Sequence, residues 1–148
     1  MTKKKKNNSN QGFSLLFVMA VLLIMSILSV AIFTLFTSNI ANEKMQADAI
    51  RAHYVAQSGV EVAYGALLQD NESLLRDYFD KSIATTITPL SDTITLDSGT
   101  ADIVISSFID GTERWVLITS VGHIPGSEIT QTSKMSFNIR YPQIKKWE

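Results

Sequence analysis

The side chains best suited to proton transfer or metal binding are two histidines, His53 and His123. His53 falls in a predicted helix and His123 near the end of a predicted strand. Neither has a companion at ligand spacing, so surface or packing roles are expected for both. Serines and threonines crowd His123 along the chain, but a hydroxyl near a histidine in sequence is not a triad. Asp92, Asp97, Asp102 and Asp110 are scattered among turns, without the regular oxygen ligands of a Ca²⁺ loop. Gly59, Gly65, Gly99, Gly111, Gly122 and Gly126 do not compose a phosphate loop. The sequence contains no cysteine, which excludes a disulfide framework, a thiolate metal site and a cysteine nucleophile. Trp115, Tyr141 and Trp147 are the candidate binding aromatics, with one or more of them expected in the core. No catalytic constellation is visible, and no enzyme activity, cofactor or metal is expected.

The elements that carry these groups are unevenly built. A net charge of −1 and 45% hydrophobic residues describe an ordinary soluble protein, yet neither is spread evenly. Lys3, Lys4, Lys5 and Lys6 form a basic block, whereas residues 13–36 include no charge at all. Setting aside the four leading lysines leaves 9 Lys+Arg against 14 Asp+Glu, a balance of about −5. An acidic body offers no electrostatic basis for nucleic-acid binding. A lysine run directly before an apolar segment instead follows the positive-inside pattern of membrane topology. The 148 residues leave room for one small domain and one other element.

Residues 13–36 read FSLLFVMAVLLIMSILSVAIFTLF. Their only polar members, Ser14, Ser26, Ser29 and Thr34, can bond back to helix carbonyls and so tolerate a bilayer. At a rise of 1.5 Å per residue this stretch spans about 36 Å, enough for a hydrocarbon core of about 30 Å. Three readings compete: a cleaved secretory signal, a plain signal anchor, and a signal cut before the apolar segment. The first fits least, because a signal core is roughly 7–15 residues and ends at a small-residue site. Here Thr37, Ser38, Asn39 and Ile40 continue the helix instead.

The third reading rests on the order of motifs. The basic block, the polar stretch from Asn7 to Gln11, then Gly12, Phe13 and the uncharged run resemble the leader of a type IV prepilin. The resemblance implies cleavage of the Gly12–Phe13 bond by prepilin peptidase on the cytoplasmic side and N-methylation of Phe13. Gly12 suits such a bond because it puts no side chain in the way of the peptidase. Most pilins place a glutamate at the fifth mature position, where it pairs with a neighbour's N-terminal amine; here that position is Phe17. An intramembrane carboxylate is costly unless paired, so its absence resembles minor pilins and the tip pseudopilins of type II secretion systems. The run Ala52-His53-Tyr54-Val55-Ala56-Gln57-Ser58-Gly59-Val60-Glu61 is also similar to minor pilins, and Ser58 and Gly59 suit a close helix–sheet contact.

Beyond Thr37 the chain stays helical to about Gln69: it is proline-free and rich in alanine. Ile40, Ala47, Ile50, Tyr54, Ser58 and Val62 are expected to form its packed stripe. Glu43, Lys44, Asp48, Arg51, Gln57 and Glu61 are expected on the polar side. The helix should end near Asp70-Asn71-Glu72, with a short helical turn following through Leu74, Leu75, Tyr78 and Phe79. Extended segments are expected at 86–89 and 93–96, with firmer strands at 101–106, 115–121 and 134–140. Asp110-Gly111 and Pro125-Gly126 supply turns.

The expected fold is α+β: a long N-terminal α-helix, its first half membrane-embedded, packed by its second half on a small antiparallel sheet of three or four strands. The expected organisation is a leader (1–12), a transmembrane half-helix (13–36), an extracytoplasmic amphipathic half (37–69) and a β-rich domain (70–148). The resemblance implies a structural subunit of a pilus or pseudopilus, active in initiation, tip formation or assembly. Its implied partners are other pilin subunits, the peptidase, the assembly machinery and the cytoplasmic membrane. A signal-anchored binding domain without a filament role is the alternative.

Overall fold

A computed structural model of the chain describes residues 10–82 and 84–148. The chain falls into two compact units that divide between Lys44 and Met45. Helix α1 (Asn10–Leu74) is unbroken, starting before the expected Phe13 and outrunning the expected end near Gln69. It leads directly into a π-helical turn, α2 (Leu75–Phe79). Leu75 and Phe79 are fully buried. These two side chains lie one turn apart on the same face, so their burial carries the helical path past the polar Asp70-Asn71-Glu72 signal.

Five antiparallel strands follow: β1 (Leu90–Leu96), β2 (Gly99–Asp110), β3 (Glu113–His123), β4 (Thr130–Asn138) and β5 (Lys145–Trp147). They pair in chain order as a simple meander. The segment 86–89 is not a strand; the ladder begins at Leu90, after Pro89, which has no N–H to give it. Gly111 (φ 63°) makes the tight β2–β3 turn and Gly126 (φ 76°) the longer connection before β4, where the two turn signals placed them.

The sheet covers one face with the helix. Ile103, Val116, Ile118, Met135 and Phe137 form the core with Val60, Ala63 and Leu67 of α1 and with Leu75 and Phe79. A smaller cluster joins Ala52 and Val55 to Ala101 and Ile124. The helix face used is not the expected one. Ile50, Tyr54 and Val62 are exposed, as are Ala47 and Ser58, and Ile40 in the N-terminal unit is exposed as well. The buried stripe is Ala52, Val55, Ala56, Gly59, Val60, Ala63 and Leu67, and Asp48, expected among the polar positions, is buried too.

Steric fit explains the choice. A side-chain carbon at Gly59 would overlap the Ser120 hydroxyl and come within 2.9 Å of Ala101 Cβ. One at Gly122 would overlap the Ala52 carbonyl oxygen. Helix and sheet therefore meet through small residues on both sides, and the bulkier stripe of Ile50 and Tyr54 has no room in that contact.

β4 stops at Asn138, short of the expected Arg140. The Asn138 side chain is buried, and its Oδ1 accepts hydrogen bonds from the backbone N–H of Arg140 (2.8 Å) and of Tyr141 (3.2 Å). Its amide also donates to the Glu113 carboxylate. An asparagine that captures the next backbone donors turns the chain, and the Tyr64 hydroxyl donates to the Pro142 carbonyl (2.9 Å) just beyond. The return delivers β5, which the sequence reading missed because three residues carry no alternation. Asn138→Ala should lower the stability of the full chain by about 2 kcal/mol, since it removes three hydrogen bonds from a partly buried turn. An unchanged midpoint in urea unfolding of the detergent-solubilised chain would refute this role for Asn138.

Candidate functional site

The N-terminal unit is the first candidate. Lys3 to Lys6 and the polar residues through Ser9 lie outside the described residues. Gly12 and Phe13 are both helical, within α1. Glycine lowers the cost of opening a helix at this bond by roughly 1 kcal/mol relative to alanine. Phe13 is 76% exposed and Phe17 64% exposed. Every residue from 13 to 36 is exposed, and the helix is long and apolar enough to cross a membrane.

Three hydroxyls of this stretch, and Thr37 just after it, turn inward to the backbone. Ser26 donates to the Leu23 carbonyl (2.8 Å), Ser29 to Met25 (2.8 Å) and Thr34 to Val30 (2.9 Å). Thr37 donates to Phe33 (3.1 Å). These side chains thus present little unpaired polarity to an apolar surrounding.

The globular unit holds the second candidate. His53 is exposed and lies edge-on to Tyr54, with centroids 6.0 Å apart. His123 ends β3, on the sheet face away from the helix. Its Nε2 lies 3.0 Å from Asp102 Oδ2, and the Thr93 hydroxyl donates to Asp102 Oδ1 (2.7 Å). The register places Asp102 opposite Val121, diagonal to His123, and Thr93 opposite Asp102. The order along this chain of contacts is hydroxyl, carboxylate, imidazole. A nucleophilic triad needs the imidazole in the middle, so the arrangement joins three strands without activating the threonine. Sequence inspection scattered these residues; the β2–β3 turn at Gly111 was the signal from which their register could be derived.

A cleft of about 420 Å³ opens between residues 80–82, the start of β3 and the end of β4. Arg114 lines it, with its terminal nitrogens engaged: Nη2 bonds the carbonyls of Ser82 (2.7 Å) and Thr85 (2.8 Å), and Nη1 bonds Ser107 Oγ (3.1 Å). It ties the segment before β1 to the sheet. Trp115 is 8% exposed, with Phe108 stacked on it at 6.5 Å and Lys146 Nζ 4.6 Å from its centroid. It is therefore covered on the outer face and not in the helix-side core. Tyr141 and Trp147 are exposed. Among the described residues, no group of three or more His, Asp or Glu side chains is placed to hold a metal ion. Compared with known proteins, the chain matches no family model, no curated protein and no solved structure.

Proposed function

We propose that the protein is a minor type IV pilin or pseudopilin, anchored by residues 13–36 in the cytoplasmic membrane with its sheet domain outside. The observation that carries this reading is the position of the uncharged, exposed stretch. It begins directly after Gly12 and continues, in one unbroken helix, into the residues that pack on the sheet. Such a rod exchanges lipid for neighbouring apolar helices without meeting water, so a subunit can leave the bilayer for a filament at little hydrophobic cost. Phe17, which provides no carboxylate for a neighbour's amine, supports an initiating, tip or low-abundance subunit over a self-polymerising shaft.

The mature N-terminus tests the reading. Mass spectrometry of the chain produced with prepilin peptidase should find N-methylated Phe13, and without the peptidase a chain that retains its leader. A chain that begins at Met1 or Thr2 under both conditions would refute processing and leave a plain signal anchor.

A further inference from the structure

We infer that the free edge of β1 receives the β5 edge of a second copy of this chain, so that the sheets of neighbouring copies continue into one another. Among the described residues, β1 and β5 are the two outer strands, each paired on one side only. Beside β1, on the helix-facing side of the sheet, runs an apolar groove of about 280 Å³, lined by Val62, Ala66, Leu74, Leu90 and Ile94 with Asp92 among them. At the opposite edge stands Trp147, 44% exposed. It pairs with Met135, a core residue, and therefore also belongs to the helix-facing side. One edge has an apolar groove and the other a large aromatic side chain, on the same face of the sheet.

The charges of the edges agree. β1 carries Asp92, with Asp97 just beyond it, whereas β5 carries Lys145 and Lys146. Two β1 edges would bring aspartates together and two β5 edges would bring lysines together. Charges at strand edges suppress like pairing in this way, and the unlike pairing is the one left.

Direction and register follow. Alternating antiparallel strands make β1 and β5 run the same way, so sheets joined without inversion pair these edges in parallel. Placing Lys145 beside Asp92 then sets Lys146 beside Thr93 and Trp147 beside Ile94 at the groove. Asp92 and Lys145 share the helix-facing side, because their partners Ile103 and Phe137 are both core residues. The contact is heterologous: each union leaves one β1 and one β5 open, so it propagates. It extends the filament reading sideways but rests on the sheet edges alone, with or without leader cleavage.

The absence of native cysteine makes the test direct. The full chain carrying Thr93→Cys and Lys146→Cys is reconstituted in phospholipid vesicles and oxidised mildly. The expected products are dimers and a ladder of higher species on a non-reducing gel. Linkage within one chain is barred, because the edges lie four strand spacings apart, about 19 Å. Mixing the two single-thiol chains should yield dimers with one copy of each. Adding Asp92→Lys should cut the yield about tenfold, as like charges meet, and Lys145→Glu in the same chain should restore it. Trp147→Ala should reduce it too. No ladder, dimers of a single-thiol chain with itself, or a yield indifferent to Asp92→Lys would each overturn the proposal. Because processing is irrelevant to the vesicle assay, its failure is distinct from failure of the peptidase test.

Discussion

Replacing Gly122 with alanine is expected to lower the melting temperature of the full, detergent-solubilised chain by roughly 10–20 °C. A methyl group there overlaps the Ala52 carbonyl oxygen and stands 2.7 Å from the Ala56 nitrogen. Both obstacles are helix backbone, held in the hydrogen-bond ladder of α1, so neither can swing aside as a flexible side chain would. The whole helix must lift from β3, which loosens Ala52 and Val55 against Ala101 and Ile124. Overpacking of this kind costs about 2–3 kcal/mol. Gly65 is the control: it lies in the same helix with nothing within 4 Å of the added carbon. Gly65→Ala should therefore stabilise the chain by about 0.5–1 kcal/mol through helix propensity alone. Thermal melts followed by far-ultraviolet circular dichroism decide the matter. If the two substitutions shift the midpoint in the same direction, the close helix–sheet contact does not limit stability.

The second large effect concerns the apolar segment. Leu22→Arg combined with Leu28→Arg should release the chain from alkali-washed membranes. Both positions are exposed on α1, and both lie within about 5 Å of the midpoint of residues 13–36 along the helix axis. A charged side chain near the bilayer centre costs about 2.5–3.5 kcal/mol on insertion scales, so the pair amounts to about 5–7 kcal/mol. Near the middle, arginine has the longest way to reach for the headgroups, which limits relief by snorkelling. Leu22→Ala with Leu28→Ala removes as many leucines without adding charge and should leave the chain in the membrane fraction. Retention of the arginine variant at the level of the alanine variant would mean that the stretch does not sit in lipid.

These two predictions draw on different levels of description. The second is readable from composition, because a long uncharged run is incompatible with water wherever the chain later folds. The hydroxyl back-bonds of Ser26, Ser29 and Thr34 were foreseeable for the same reason: in a helix the acceptor carbonyl lies within a turn of the donor. The first could not be read from sequence. Gly59 was legible as a point of close approach, but its opposing surface, Ser120 and Ala101, lies on two strands remote in sequence. Gly122 looked like an ordinary strand glycine until β3 was laid across α1.

The choice of helix face shows the same division. Periodicity alone favoured the stripe through Ile50, Tyr54 and Val62, whose side chains are larger and more apolar. The fold buried the smaller stripe through Ala52, Ala56 and Gly59, because the distance between helix and sheet is a property of both surfaces together. β5 was invisible for a related reason: three residues form a strand only because Asn138 turns the chain and β4 offers an edge. By itself, then, the sequence determined a continuous helix with an uncharged first half, an antiparallel meander after it, and turns at Gly111 and Gly126, all of which depend on neighbours within a few residues. Tertiary structure alone decided which helix face is covered and where the sheet ends, since each depends on surfaces that come together only after the chain has folded.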